Sequence, residues 1–374
     1  MKNPKIALAT EFLVQYGGAQ KTLEAISELF PEAPIYTAKY IPDDISGYLN
    51  SKKIISPKNN WINNASKYFF TFLMAPVFEE MDFRNYDILI SDGTTWTKGI
   101  ITKPEQMHIT YIHTPPRFLY GYSRESGKRD FLLFKLFFSY VDNLLRLWDY
   151  TAAQRPDYIL TNSATTKARI NKFYRRNAHI IYPPVELDHK PNKDLNNLKK
   201  PYYIAVGRLA KYKNFEVLIN AFNLLNIDLV IVGTGSEEKR LKKLAGENIS
   251  FVGQAPEELK HSLIEGALGL INPVVDEDFG IVPVEAMAHG TPVLGHRSGG
   301  HLETVIEGKT GMFIDDLSVE SLVKTVRDFD NDVRANKYDK GYIKRSAERF
   351  SKERFQKEFY DFVMEKWQIH ESNK

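Results

Sequence analysis

The stretch DEDFGIVPVEAMAHGTPVLG, residues 276–295, indicates both the class of fold and the chemistry of a candidate site. A Phe-Gly-Ile turn leads into an apolar helical pattern, and a short apolar strand pattern closes the stretch. Two glutamates, Glu277 before the helix and Glu285 inside it, have seven residues between them. A carboxylate in an apolar helix is unfavourable unless polar partners satisfy it. The helix-then-strand pattern predicts an α/β fold, and the acidic pair requires polar partners.

Short apolar runs of the same kind recur along the chain, each followed by turn residues and a helical pattern. Because they do not alternate apolar with polar residues, they fit strands buried on both faces of a parallel sheet. They include Lys5–Thr10, Tyr86–Ser91, His108–His113, Tyr158–Asn162, Tyr202–Val206, Leu229–Val232, Ile249–Val252, Leu268–Asn272 and Pro292–Gly295. Strand and helix in alternation predict doubly wound α/β layers.

One segment, residues 182–201, interrupts this alternation. It is rich in Pro, Asn and Lys, which is typical of a linker. A chain of 374 residues also fits two domains of ordinary size. We therefore predict two Rossmann-like domains facing each other across a cleft, residues 1–185 and 186–352. A last helix, about 353–374, is expected to pack back on the first domain.

Composition narrows the class of protein. Hydrophobic residues make up 43% and charged residues 26%, as in folded globular proteins. A formal net charge of +3 gives no indication of a nucleic-acid partner. The chain has no cysteine, so it has neither disulfides nor thiolate metal sites. We find neither a signal-peptide pattern at the start nor a membrane-spanning apolar run. We expect a cytoplasmic protein, either soluble or lying on a membrane surface.

Two glycine-containing loops follow predicted strands. Gly17 and Gly18 precede a helix, whose free N–H groups could bind an anion, although an ordinary tight turn would look the same. Gly233 and Gly235, in VGTGS, repeat this arrangement. The third glycine of a dinucleotide fingerprint is missing there, since Glu238 stands in its place, which argues against a classical NAD enzyme.

A third loop, GRLAKYKN, carries two cations at the carboxyl end of a predicted strand, where ligands bind in open α/β sheets. Arg208 offers a planar fork of donors and Lys213 a mobile point charge, and both could converge on a diphosphate. The alternative is a pair of solvated cations.

In order, GRLAKYKN, VGTGSEE, FVG and EDFGIVPVEAMAHGTPVLG resemble the signature of retaining, GT-B-fold, nucleotide-sugar glycosyltransferases of family four. The resemblance spans the second domain. The first domain agrees more loosely, through its Gly-Gly loop and through His113 at a strand end. The run IHTPPR, residues 112–117, resembles bacterial transferases of O-antigen and other surface polysaccharides such as lipopolysaccharide, mannosyltransferases among them.

This resemblance implies roles for individual residues. Glu285 is expected to bind the ribose of the nucleotide and Glu277 the hydroxyls of the donor sugar. Arg208 and Lys213 are expected to hold the diphosphate, and His113 to lie beside the donor sugar near the reacting carbon. Further donor contacts are expected from the backbone of Phe279, Gly280 and Ile281 and from the glycines Gly17, Gly18, Gly233 and Gly235.

The resemblance also implies a mechanism in which the departing phosphate serves as the base for the incoming hydroxyl. The protein then contributes positioning and charge stabilisation. We see no Asp-x-Asp motif at a strand end, so we expect no catalytic metal. The only cosubstrate expected is the nucleotide sugar, linked to GDP or UDP.

Two aromatic and aliphatic segments of the first domain are candidates for the acceptor side, residues 61–78 and 131–150. The second has a single polar stripe at helical spacing, formed by Lys135, Ser139, Asp142, Arg146 and Asp149. Such a helix is either packed in the domain core or laid on lipid, as would suit a polyprenyl-linked acceptor at the inner face of the plasma membrane.

The leading hypothesis is a retaining hexosyltransferase, with mannose favoured, acting on a glycan or a lipid-linked glycan. Two alternatives remain open. One is a nucleotide-sugar epimerase or hydrolase of the same fold, and the other is a non-catalytic protein that binds sugar nucleotides.

Overall fold

The computed structural model describes residues 3–57, 74–121, 132–188 and 201–374, and side chains of the helix at 132–152 from Ser139 onward. These residues form two compact units. Unit 1 takes in the described residues up to Gly121, together with 132–184 and 353–374, and unit 2 takes in 185–352. Most of the predicted acceptor segment 61–78 lies outside the described residues, as does most of the predicted linker.

Unit 1 is built on a seven-stranded sheet whose strand order is β3-β2-β1-β4-β5-β6-β7. All its strand pairs are parallel. The strands are β1 (Ile6–Leu13), β2 (Ile35–Tyr40), β3 (Ile54–Ile55), β4 (Ile88–Gly93), β5 (Met107–Ile112), β6 (Tyr158–Thr161) and β7 (His179–Ile180). The helices are α1 (Gly18–Leu29), α2 (Gly47–Asn50), α3 (Met74–Glu79), α4 (Arg117–Tyr120), α5 (Leu132–Ala152) and α6 (Ala164–Tyr174).

Unit 2 repeats this plan with six parallel strands in the order β10-β9-β8-β11-β12-β13. The strands are β8 (Tyr203–Val206), β9 (Leu229–Val232), β10 (Ile249–Gly253), β11 (Leu270–Asn272), β12 (Val293–His296) and β13 (Gly311–Ile314). The helices are α7 (Phe215–Leu225), α8 (Glu238–Leu244), α9 (Glu257–Glu265), α10 (Ile281–Ala288), α11 (His301–Thr304), α12 (Val319–Arg334), α13 (Lys340–Glu348) and α14 (Lys352–Ser372), the last of which lies almost wholly in unit 1.

Helix α14 joins the core of unit 1 although it follows unit 2 in the sequence. Its residues Phe355, Phe359, Val363 and Trp367 recur at every fourth position, so they line one face of the helix. All four are buried in the cluster that contains Leu8 of β1 and other residues of the sheet. This apolar face holds the end of the chain against the first sheet.

Each sheet has a point at which the chain turns from building one half to building the other. In unit 1 that point lies between β1 and β4, which pair with each other. In unit 2 it lies between β8 and β11. Open α/β sheets bind ligands outside the carboxyl ends of the strands at such points. The predicted α/β class with two Rossmann-like domains is confirmed.

Candidate active site

In unit 2, the loops at the switch point bring together a cation and an acid that are far apart in sequence. Lys213 ends the 3-10 turn Lys211–Lys213 after β8, and Glu277 follows β11. The Lys213 Nζ lies 2.7 Å from the Glu277 Oε2, and their side chains are 18% and 16% exposed. The pair is therefore mostly shielded from solvent and joins the loops that follow β8 and β11.

Arg208 lies on the same loop with its side chain exposed, and it is linked to Lys213 through Tyr212. The Arg208 Nη2 donates to the Tyr212 hydroxyl over 3.1 Å. The Lys213 Nζ lies 5.3 Å from the centre of the Tyr212 ring, within range of a cation–π contact. The two predicted cations are therefore held on one loop by an aromatic residue that the sequence analysis did not single out.

The conformation of the turn between Glu277 and α10 requires a glycine and is held by a contact with the loop after β12. Gly280, at the N-cap of α10, has φ of 90°, a conformation that favours glycine. From the loop after β12, the Gly300 N–H donates to the Glu277 carbonyl oxygen over 2.7 Å. A Cβ on Gly300 would collide with the backbone of Phe279. This close approach fixes the loop that carries Glu277.

Phe279 is 2% exposed and packs its ring against Phe350 at 5.2 Å between centroids. Its side chain therefore belongs to the core of unit 2. Ile281 is half-buried, and the backbone role of this turn in donor binding stays a prediction.

Gly233 and Gly235 have a packing reason to be glycine. A Cβ on Gly233, where φ is 135°, would collide with the carbonyl oxygen of Gly207, and one on Gly235 with that of Leu209. The loop after β9 thus lies directly against the loop that carries Arg208. This contact between the two loops explains why both positions hold glycine, whether or not Gly233 and Gly235 also touch a ligand.

Glu285 is 2% exposed within α10, and its charge has a partner inside the protein. The Lys260 Nζ, from α9, lies 3.0 Å from both Glu285 carboxylate oxygens. Lys260 therefore supplies a charged partner of the kind that a carboxylate in this apolar helix requires. Glu257, His261 and Glu285 are the one group among the described residues with spacing that could hold a metal ion.

In unit 1, Gly17 is the N-cap of α1, and its φ of −164° is extended backbone that any residue adopts. A Cβ there would meet only the Gln20 side chain, at 3.6 Å. The fold itself therefore does not demand glycine at this position. Gly18 is the first residue of α1, so both predicted glycines lie at the start of that helix.

The neighbouring loop after β4 is organised by a carboxylate. Glu11, on β1, accepts backbone hydrogen bonds from Thr94 at 3.0 Å and Trp96 at 2.7 Å, and also from Thr95. Three converging N–H groups thus donate to one carboxylate oxygen of this acid. The loop is thereby held beside the switch point of the first sheet.

His113 immediately follows β5 and is paired with an acid that sequence reasoning missed. The His113 Nε2 lies 2.8 Å from the Asp92 Oδ1, and their side chains are 15% and 2% exposed. Asp92 lies on β4, so the two side chains meet because their strands are neighbours. The only signal for Asp92 in the sequence was its position at the end of a predicted strand. Unit 1 therefore brings an imidazole–carboxylate pair to its carboxyl edge.

Two buried imidazoles, His301 in unit 2 and His108 on β5, have lowered pKa values. Burial lowers the pKa of His301 to about 4, an effect that Glu277 opposes and Lys213 reinforces. Burial also lowers the pKa of His108 to about 3, while its Nε2 lies 2.8 Å from the Ser91 hydroxyl. Both are neutral at physiological pH, so neither adds positive charge to the sites.

Comparison with known proteins agrees with the motifs. Residues 188–348 match the family model described as Glycosyl transferases group 1. The chain is 26% identical over 277 residues to the alpha-1,3/1,6-mannosyltransferase alg2 of Schizosaccharomyces pombe, covering 62% of this chain and 52% of that one. It is 30% identical over 216 residues to the GDP-Man:Man(3)GlcNAc(2)-PP-Dol alpha-1,2-mannosyltransferase of Xenopus laevis, covering 50% and 43%. The chain spans about half the length of these relatives.

Among solved structures, the sucrose-phosphate synthase (tll1590) from Thermosynechococcus elongatus matches with a TM-score of 0.78 at 19% identity. The match covers 97% of this chain and 100% of that chain, so it extends through both units. Two Rossmann-like units of this kind define the GT-B class. Residues 188–348 belong to the group 1 glycosyl transferases, and the predicted resemblance to GT-B transferases of family four is confirmed.

Proposed function

We propose that this protein is a retaining mannosyltransferase that moves mannose from GDP-mannose to a lipid-linked glycan. The observation that carries the proposal is the Lys213–Glu277 pair at the switch point of unit 2, within the matched group 1 domain. The names of the relatives favour mannose, and the Xenopus protein's name gives GDP-Man.

Lys213 and Arg208 act on the leaving diphosphate in this proposal. Charge builds up on that group as the sugar departs, and preorganised cations stabilise it more than they stabilise the bound donor. Arg208 suits a diphosphate because its guanidinium forms two parallel hydrogen bonds. Lys213 can turn to the phosphate while Glu277 turns to the sugar.

Glu277 and Glu285 bind neutral hydroxyls in this proposal. Each carboxylate has about four lone-pair directions and can accept from two hydroxyls at once. Glu277 holds the donor sugar, where contacts strengthen as the reaction proceeds, and Glu285 holds the ribose, which does not react. Loss of Glu277 should therefore slow turnover, and loss of Glu285 should weaken donor binding.

The transfer breaks the bond between the anomeric carbon and the diphosphate oxygen and forms a bond from that carbon to the acceptor oxygen. The acceptor's proton passes to the departing phosphate, so no protein carboxylate is needed as a base. His113, held by Asp92, contacts the donor sugar, and the start of α1 at Gly17 and Gly18 provides N–H groups for the phosphates. No divalent cation takes part.

The acceptor side is proposed to be a membrane surface met by α5. Tyr140, Leu144, Leu147 and Tyr150 are 65%, 48%, 62% and 43% exposed and lie at helical spacing. The opposite face, with Leu145 at 7% exposed, packs in the core. Such an apolar stripe is suited to the acyl boundary of a bilayer.

Basic residues adjoin the end of this helix. The Gln154 side chain, two residues past α5, donates to the Tyr174 carbonyl at the end of α6 over 3.0 Å. Helix α6 and the two residues after it carry Lys167, Arg169, Lys172, Arg175 and Arg176, and residues 158–185 contain no acid. Each cation near an anionic surface contributes about 1 kcal/mol. We therefore place the protein at the inner face of the membrane. No described helix is long and apolar enough to cross a bilayer.

Isothermal titration with GDP-mannose, GDP, UDP-glucose and mannose 1-phosphate, each with and without EDTA, tests the donor assignment. GDP-mannose should bind most tightly and equally well with EDTA, and Glu285→Gln should bind it more weakly. Product analysis by NMR without acceptor should show intact donor; free mannose or an epimer would indicate a hydrolase or an epimerase. Absence of binding by every nucleotide sugar would overturn the proposal.

A further inference from the structure

Helix α9 supplies a buried cation to the acid inside α10. Lys260 is 9% exposed and Glu285 is 2% exposed. The Lys260 Nζ lies 3.0 Å from each oxygen of Glu285 and 2.9 Å from the Oε2 of Glu257, which is on its own helix. One ammonium group, with three N–H donors, is thus shared by two carboxylates.

This pairing offsets the cost of burying a carboxylate in an apolar helix. Apart from Glu285, α10 reads Ile-Val-Pro-Val before it and Ala-Met-Ala after it. Burying a carboxylate in such surroundings is costly unless an opposite charge is paired with it. Lys260 supplies that charge.

The contact also fixes α10 in position. The His261 Nδ1 lies 2.9 Å from the Nε2 of His289, the C-cap residue of α10. The His261 Nε2 lies 3.7 Å from the Oε2 of Glu257. The polar side chains of α9 thus reach α10 at its middle and at its end, so the direction of the Glu285 carboxylate is set by a connected network.

The same cluster has the spacing of a metal site, through Glu257, His261 and Glu285. The ammonium group of Lys260 is within hydrogen-bond distance of both carboxylates of that trio. A metal ion there would have to displace an internal cation that the fold already provides. The network is better explained as a support for Glu285.

We propose that Lys260 is a positioning residue for donor binding, which holds the Glu285 carboxylate in the direction in which it accepts hydrogen bonds from hydroxyl groups of the donor. This inference rests on the proposed function, because it assumes that Glu285 binds the nucleotide sugar. Lys260 makes no contact with the reacting atoms in this account. Its removal should therefore affect donor binding and leave the chemical step alone.

The test is steady-state kinetics of Lys260→Met with varied GDP-mannose. The donor KM should rise about 10- to 100-fold, as for loss of a hydrogen bond to a charged group, with kcat within threefold of wild type. Lys242→Met is the matched control, since Lys242 forms a surface pair with Glu238 on the neighbouring α8 and should change neither constant. A normal donor KM in Lys260→Met would overturn the inference.

A double-mutant cycle separates action through Glu285 from general loosening of the unit. If Lys260 acts through Glu285, the pair Lys260→Met/Glu285→Gln should have the donor KM of Glu285→Gln alone. A donor KM in the double variant that is raised by the product of the two single effects would contradict the inference. Should Lys260→Met fail to fold, Lys260→Gln replaces it, because the amide keeps N–H donors. Failure of the wild-type protein to bind any nucleotide sugar would instead reject the proposed function itself.

Discussion

Lys213 and Glu277 show that the role of a charged side chain depends on the group it is paired with. The two charges neutralise each other over 2.7 Å. In the proposed mechanism a bound donor would offer phosphate oxygens to the lysine and hydroxyls to the glutamate, so both groups would exchange one polar partner for another. Such an exchange would avoid the cost of a buried charge without a partner.

Replacing Lys213 by Met should reduce kcat about 100- to 1000-fold, equivalent to about 2.7 to 4 kcal/mol, because the leaving diphosphate loses its cation. Lys211→Met is the matched control, since Lys211 is exposed on the same 3-10 turn and should leave the rate unchanged. The measurement is the transfer rate of each variant at saturating donor. Similar rates in both variants would remove Lys213 from the mechanism.

His301 gives unit 2 a stability that depends on pH. Its pKa is about 4 in the fold and 6.5 in an unstructured chain, so the unfolded state takes up the proton first as pH falls. Stability is therefore complete above about pH 6.5 and declines towards pH 4, by about 1.4 kcal/mol per pH unit. Urea unfolding followed by circular dichroism should show His301→Leu losing about 2 kcal/mol less than wild type between pH 6.5 and 5. Equal losses would contradict the assignment.

Motifs located many of the candidate residues, but they did not reveal the residues' partners. Glu277, Glu285 and Lys213 stand in recognisable runs of sequence. Their supports do not, because Lys260 and Asp92 become neighbours of Glu285 and His113 only when separate helices or strands pack together. Pairing across a fold depends on tertiary contacts that local spacing does not encode.

Helix α5 shows the same limit at the scale of an element. The polar stripe expected from its sequence is not a solvent-facing stripe, because Asp149 is fully buried, 2.6 Å from the Lys98 Nζ. Lys98 lies in the 3-10 turn Thr97–Gly99 after β4, outside the local sequence pattern of α5. The face of the helix that is exposed carries Tyr140, Leu144, Leu147 and Tyr150 instead. One face is therefore packed in the core, whereas the contact of the exposed face with lipid stays a prediction.

The neighbouring leucines Leu144 and Leu145 allow a matched test of this helix. Leu144→Ala combined with Leu147→Ala should weaken co-sedimentation with anionic vesicles about tenfold per leucine while leaving stability unchanged, because both side chains are exposed. Leu145→Ala should cost about 2 to 5 kcal/mol of stability, since its side chain is buried. Full vesicle binding by the double variant would exclude this face as the membrane contact. Lys135, the first residue of the predicted polar stripe, lies outside the side chains that the structure describes.

Strands were the most predictable elements. The continuous apolar runs, such as Leu229–Val232, are strands with the expected parallel pairing. Strand β2, with the sequence Ile-Tyr-Thr-Ala-Lys-Tyr, was not among the predicted runs. Its polar residues break the apolar pattern, and its pairing with β1 and β3 defines it as a strand.

At the scale of the whole molecule, the chain builds unit 1, then unit 2, and returns to unit 1 with α14. Phe359→Ala should therefore destabilise unit 1 by about 3 to 5 kcal/mol, although residue 359 follows unit 2 in the sequence. Tryptophan fluorescence reports this selectively, because residues 185–352 contain none of the four tryptophans. Lys357→Ala, on the exposed side of the same helix, serves as the control. An unchanged fluorescence transition in Phe359→Ala would show that the helix does not support unit 1.

The most direct test of the account is the fate of labelled mannose. The protein should move the label from GDP-mannose into an organic-extractable glycolipid of bacterial membranes in the presence of EDTA. An α-mannosidase should then release the label, because a retaining transfer keeps the α configuration of the donor. A product that resists α-mannosidase but yields to β-mannosidase would contradict retention, and label recovered only as free mannose would contradict transfer.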